Sequence, residues 1–121
     1  MSEVTFWRVD DDALVGRLTY ATSIRQRTQG LIGTRELAPD AGIYFPHDVS
    51  LHMWFMSLPI DAVFVGRALA DGSLPIVAVR RHLRPWLSLV LWVRDAHGTL
   101  ELADGTIDRL GLAVGQALRT A

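Results

Sequence analysis

The 121-residue chain contains no cysteine and no lysine. Without cysteine it can form no disulfide framework, no thiolate nucleophile and no cysteine–zinc site. Without lysine it has no amine nucleophile, Schiff base or P-loop lysine, and its 12 cationic residues are all arginine. These two absences exclude several classes of enzyme before any motif is considered.

A strong net charge and a long apolar run are missing as well. The formal charge is −1, which argues against a general nucleic-acid-binding protein. No apolar run approaches the ~20 residues that a membrane-spanning helix needs. The opening sequence MSEVTFWRVDDD lacks the apolar core of a signal peptide. We therefore expect a cytoplasmic protein that has no membrane or nucleic-acid partner.

Short catalytic and cofactor motifs are also absent. The chain has no GxGxxG, HExxH or GxSxG sequence. Its four histidines lack the close spacing of a metal-ligand pair. We therefore predict no metal site and no cofactor.

The longest apolar stretch, residues 51–65, is the centre of the predicted fold. Read with a period of two, both of its faces are apolar, which predicts strands buried on both sides. Pro59 cannot donate to a strand ladder, so a second strand should begin near Asp61 and continue over residues 62–65. The residues predicted for the core are Met53, Phe55, Val63 and Val65.

The rest of the chain predicts a mainly β, β-rich α+β fold. Half of the residues are hydrophobic, enough for one compact domain over residues 1–121. Short apolar segments between turn signals predict about eight short strands in a sandwich or barrel. Two short helices are expected, one over residues 23–32 and one over residues 105–110 that ends at Gly111.

Two isolated carboxylates in apolar strands, Asp61 and Glu101, define the candidate site. A buried charge is costly without a partner, so each should find an arginine or backbone donors. Such groups can form an acid–base pair or the polar centre of an apolar pocket. The structural alternative is that Asp61 caps the strand break and Glu101 pairs with an arginine. The candidate ligand-binding residues are Arg25, Arg27, His52, Asp61, Arg81 and Glu101.

Arginines from two regions are candidate partners for Asp61. Arg25 and Arg27 on the first predicted helix are preferred, and Arg81 is the second choice. Arg81 belongs to a basic cluster, RRHLR at residues 80–84. This cluster could bind a phosphate or carboxylate, or it could cover a strand end in water.

An ordered series of motifs resembles the domain of unknown function 192 family, an uncharacterised family of bacteria and archaea. The motifs are GLIGTR at residues 30–35, GIYF at 42–45, HMWFMSLPIDAVFV at 52–65, RPW at 84–86, LELADGT at 100–106 and LGLAVGQAL at 110–118. The resemblance covers about residues 15–119. The matching positions include Arg27, Gly30, Met56, Pro59, Asp61, Glu101 and Gly105.

The resemblance implies a compact sandwich-type β fold with a short helix near Arg25, and it implies no established activity. Many members look secreted or envelope-associated, and this chain departs from them in its N-terminus. It also departs at Ile32, where members often carry Leu or Met, and at Ser57 and Leu58, where they are more polar.

These observations favour a binding module for a small polar ligand or a peptide, in a pocket near Asp61. The alternative is a hydrolase-like enzyme that uses His52, Asp61 and Glu101 for acid–base chemistry. The oligomeric state stays open. The tryptophans available for a third, structural or protein-interaction role are Trp7, Trp86 and Trp92.

Overall fold

A computed structural model of the chain describes residues 3–20, 38–46, 51–52, 59–84, 89–90 and 93–121. The strands in these residues are β1 Glu3–Arg8, β2 Leu14–Tyr20, β3 Ala41–Phe45, β4 Leu51–His52, β5 Ile60–Val65, β6 Leu74–Leu83, β7 Leu89–Val90, β8 Gly98–Ala103 and β9 Ala117–Thr120. The described helix, α1, is Thr106–Leu110. The helix predicted over residues 23–32 and the predicted core residues Met53 and Phe55 lie outside the described residues.

Seven of the strands close into a barrel in the order β1-β2-β3-β8-β5-β6-β9, and β4 and β7 form a separate two-stranded sheet. Neighbours in the barrel are antiparallel except β2 and β3. The short strand β9 closes the sheet because it bonds to both β1 and β6. The mainly β prediction is confirmed, and the architecture is a closed barrel rather than the sandwich that the resemblance implied.

The barrel interior is filled by apolar side chains that come from opposite walls. Residues of β1, β2, β5, β6, β8 and β9 meet in one cluster, so they must point inward. Val63 and Val65 belong to it, as predicted. The other members with the lowest exposure are Phe6, Val15, Leu18, Ile76, Leu100, Leu102, Ile107, Leu112 and Leu118.

Strands β5 and β8 are buried on both faces. Every residue of each strand is buried. Alternate residues of β5 join the interior cluster, while Ile60, Ala62 and Phe64 join a second apolar cluster on the outer face. This arrangement explains why IDAVFV shows no alternation of polar and apolar residues. It confirms the predicted doubly buried strand for the part of the central stretch that the structure describes.

The helix α1 is too short to be stable by itself, because isolated helices of this length are marginal in water. It is held by burial, since Ile107 is fully buried in the interior cluster. Its C-terminal end is set by Gly111, which has φ 66° and donates its backbone N–H to the Ile107 carbonyl. The predicted helix over residues 105–110 is therefore confirmed.

The outer cluster supplies a direct test of the fold. Phe64 is fully buried, so Phe64→Ala should destabilise the protein by about 3–5 kcal/mol. Leu69→Ala is the matched control, because Leu69 is 50% exposed and should change stability by less than about 0.5 kcal/mol. Urea denaturation of both variants measures the difference. Equal losses would show that the burial of β5 is misplaced.

Candidate functional site

The carboxylate of Asp61 is the polar centre of one end of the barrel. Its side chain lies on β5 and the residue is 1% exposed. One oxygen, Oδ1, accepts the backbone N–H of His82 at 2.9 Å. The other, Oδ2, accepts the backbone N–H of Ile107 at 2.8 Å. We expected an arginine or backbone donors to hold Asp61, and the backbone amides of His82 and Ile107 do so. Each oxygen accepts from a different element, β6 and α1.

A β-bulge brings the first of these amides to Asp61. Ile60 pairs with Leu83 and Ala62 pairs with Arg80, so two residues of β6 face the single residue Asp61. The second bulge residue, His82, has φ 50°. This backbone conformation costs about 1–3 kcal/mol in a residue other than glycine. A hydrogen bond to a charged group contributes about 1.5–3 kcal/mol, so the bond to Asp61 is large enough to hold the bulge.

The second amide lies in the first turn of α1. Its N-cap residue is Gly105, which makes no side-chain capping bond. A helix start normally receives an acceptor from the N-cap side chain. Here Asp61 supplies the acceptor from a strand 46 residues earlier. A carboxylate at this end also interacts favourably with the helix dipole.

We call the Asp61 carboxylate with its two amide hydrogen bonds the anchor. Four exposed side chains lie around it, and we call them the bulge surface: Arg81, His82, Asp104 and Asp108. Arg81 Nε donates to Asp108 Oδ1 at 2.7 Å. His82 Nδ1 lies 2.9 Å from both carboxylate oxygens of Asp104. Consecutive residues of a regular strand point to opposite faces. The bulge instead lets Arg81 and His82 both reach carboxylates in or just before α1.

The two acids of the predicted acid–base constellation, Asp61 and Glu101, are not brought together. Asp61 pairs with Leu102, whereas Glu101 pairs with Ala62. Paired residues share a face of the sheet, so Asp61 points toward the interior and Glu101 toward the outer face. Glu101 is 3% exposed and engages in a hydrogen-bonding or electrostatic interaction. The strand alternation therefore separates the two acids, although both lie in neighbouring buried strands.

The other predicted site residues are placed differently or lie outside the described residues. Arg81, the second candidate partner for Asp61, instead bonds to Asp108, because the bulge presents the backbone amide of His82 to Asp61. His52 lies in β4 opposite Leu89. Arg25 and Arg27 lie outside the described residues.

Sequence reasoning recognised the basic cluster but missed its acidic partners. Asp104 and Asp108 read as ordinary turn and helix residues in LADGTIDRL. Their spacing of four residues is a weak signal, because Asp104 lies before α1 and only Asp108 lies on the helix. The bulge itself has no comparable signal, because a register shift depends on the partner strand.

Comparison with known proteins identifies the family of this chain. Residues 7–120 match DUF192, a family described as uncharacterised ACR. The chain belongs to the DUF192 family. A search of curated proteins finds no match.

Two crystal structures share the DUF192 chain's fold. One is a proposed transcription regulator from Sinorhizobium meliloti 1021, with a TM-score of 0.79 and 25% identity over 98% of this chain and 92% of that one. The other is a protein of unknown function from Novosphingobium aromaticivorans DSM 12444, with a TM-score of 0.75 and 22% identity over 97% of this chain and 83% of that one. The second likeness shows the fold alone.

Two features are absent from the described part of this DUF192 protein. Its histidine, aspartate and glutamate side chains nowhere gather in a group of three or more that could hold a metal ion. Within the same residues, no helix has the length and apolar character required to cross a bilayer.

The anchor makes a specific prediction for stability. Asp61→Asn keeps one carbonyl oxygen but turns an NH2 group toward the second amide donor, which then has no acceptor. We expect a loss of about 1–3 kcal/mol in urea denaturation. Asp108→Asn is the control, because the Asp108 side chain is 74% exposed and its ion pair should contribute at most about 1 kcal/mol. A similar loss in both variants would contradict the anchoring role.

Proposed function

We propose that this DUF192 protein is a binding module for a small polar ligand, and that the ligand is contacted at the bulge surface. The observation that carries the proposal is the strained residue His82, whose backbone is fixed by the buried Asp61 carboxylate while its side chain remains 55% exposed. Backbone strain in a residue other than glycine often accompanies functional sites. The anchor holds the exposed groups on a rigid base, which lowers the entropic cost of binding.

The hydrogen bonding of the buried polar groups favours a ligand site on the surface of the barrel. No buried side-chain nitrogen or oxygen in the described residues lacks a hydrogen-bond partner. Buried polar groups that await a ligand would have left such atoms unpaired. Arg81 and His82, in contrast, are exposed and each has nitrogen atoms beyond the one that bonds to a carboxylate. The side-chain nitrogens that remain available to a ligand therefore lie on the bulge surface.

A small ligand is proposed in preference to an extended peptide. Peptides that add a strand to a sheet need a continuous unpaired edge. The exposed side chains of the bulge surface can contact a small polar molecule without one.

The enzymatic alternative has less support from the geometry. General acid–base catalysis needs groups within hydrogen-bonding reach of a substrate. Asp61 is buried and both of its oxygens accept backbone amides. Glu101 lies on the opposite face of the sheet. A binding role requires neither side chain to contact the ligand.

The Sinorhizobium meliloti relative, a proposed transcription regulator, suggests a setting for such a module. Regulators combine recognition of a signal with contact to a target. A small-ligand site would serve the first part. With a formal charge of −1, we propose that this chain does not itself bind nucleic acid.

The test is a ¹H–¹⁵N NMR screen of small sugars, amino acids, amines, carboxylates and phosphates. We expect at least one class to shift the amides of His82 and Ile107 in a saturable way. His82→Asn should weaken that binding by about tenfold or more, and because asparagine tolerates positive φ it should preserve the bulge.

His97→Asn is the matched control, since His97 pairs with Arg67 away from the bulge surface, with Arg67 Nε 2.9 Å from His97 Nε2. It should leave the affinity unchanged. Binding that maps elsewhere, or that survives His82→Asn, would contradict the proposal.

A further inference from the structure

The ligand chemistry can be read from Arg81. Within the described part of the chain, Arg81 makes one hydrogen bond, from Nε to Asp108 at 2.7 Å. Its two terminal nitrogens have no described partner, and the side chain is 53% exposed. A guanidinium group offers only donors and accepts no hydrogen bond. A ligand that bonds to these nitrogens must therefore bring acceptor atoms.

The contact to Asp108 fixes the direction of this donor group. One side of the guanidinium is held by the carboxylate, which leaves its terminal nitrogens as a fork that points away from Nε. Such a fork matches the two oxygens of a carboxylate or phosphate. Holding the side chain beforehand reduces the rotamer entropy that binding would otherwise cost.

His82 presents a second nitrogen in the same way. Its Nδ1 is occupied by Asp104, which leaves Nε2 without a described partner. When the imidazole is protonated, Nε2 carries a second N–H donor. The anchor at Asp61 fixes the backbone from which this ring extends.

The carboxylates at the bulge surface already have donors. Asp104 lies against His82, and Asp108 accepts from Arg81. Arg80 is exposed, and its described hydrogen bond goes to the Val79 carbonyl at 2.8 Å, not to an acid. Arg80 therefore adds a second guanidinium next to Arg81 in the chain.

We propose that the bulge surface binds a small anion, a carboxylate or a phosphate, through the terminal nitrogens of Arg81, with His82 as a second donor. This inference rests on the proposed binding function and specifies its ligand class. It assigns Asp104 and Asp108 a positioning role, because each fixes one nitrogen of a ligand-contacting side chain.

The experiment titrates the full chain with sodium phosphate, sodium acetate and sodium chloride at matched ionic strength and pH. The Arg81 Nε–H signal and the His82 amide are followed by ¹H–¹⁵N NMR. Saturable shifts with phosphate or acetate, but not with chloride, are expected. The ratio of the phosphate and acetate affinities shows whether a tetrahedral phosphate or a planar carboxylate fits better.

Arg81→Gln should weaken that binding at least tenfold. Arg119→Gln is the control, because Arg119 also bonds to an exposed acid, Asp12 at 2.8 Å, and should retain the wild-type affinity. Shifts that are as large with chloride, or an equal loss in both variants, would overturn the inference.

Glucose and methylammonium are titrated in parallel to separate the two proposals. Saturable binding of either one at His82, without a response to phosphate or acetate, overturns the anion class and leaves the binding module standing. The absence of saturable shifts with every probe overturns both.

Discussion

The hydrogen bonds of one buried carboxylate organise the end of this barrel. Asp61 accepts one amide from β6 and one from α1, and both acceptor oxygens are thereby used. Two hydrogen bonds to a charged group contribute on the order of 3–6 kcal/mol together. That exceeds the strain of one residue at positive φ. The bulge and the helix start therefore depend on the same side chain, and they place the exposed residues beside each other.

In the proposed binding role, Asp61 acts without contacting the ligand. Burial of an uncompensated charge would be costly, but amide donors from two elements satisfy Asp61. The proposed ligand contacts lie on the exposed side chains of Arg81 and His82, outside the buried Asp61. Their carboxylate partners keep them in place.

The sequence predicts the strands well where burial dominates. The run IDAVFV predicted a doubly buried strand, and the Gly111 signal predicted the end of α1, because both depend on local composition. Closure of the barrel was not predictable, since β9 must bond to both β1 and β6 across the whole chain. The site was predicted in part. Asp61 was identified as a held carboxylate, but its separation from Glu101 depends on a pairing register that two separate strand segments do not reveal.

Amide hydrogen exchange at His82 tests the central role of Asp61 most directly. The His82 backbone N–H donates to the Asp61 carboxylate at 2.9 Å, so its protection from exchange should depend on that carboxylate. We predict slow exchange of the His82 and Ile107 amides in the wild type and faster exchange of both in Asp61→Asn. Exchange of the His82 amide at the rate of an unstructured peptide in the wild type would contradict the account.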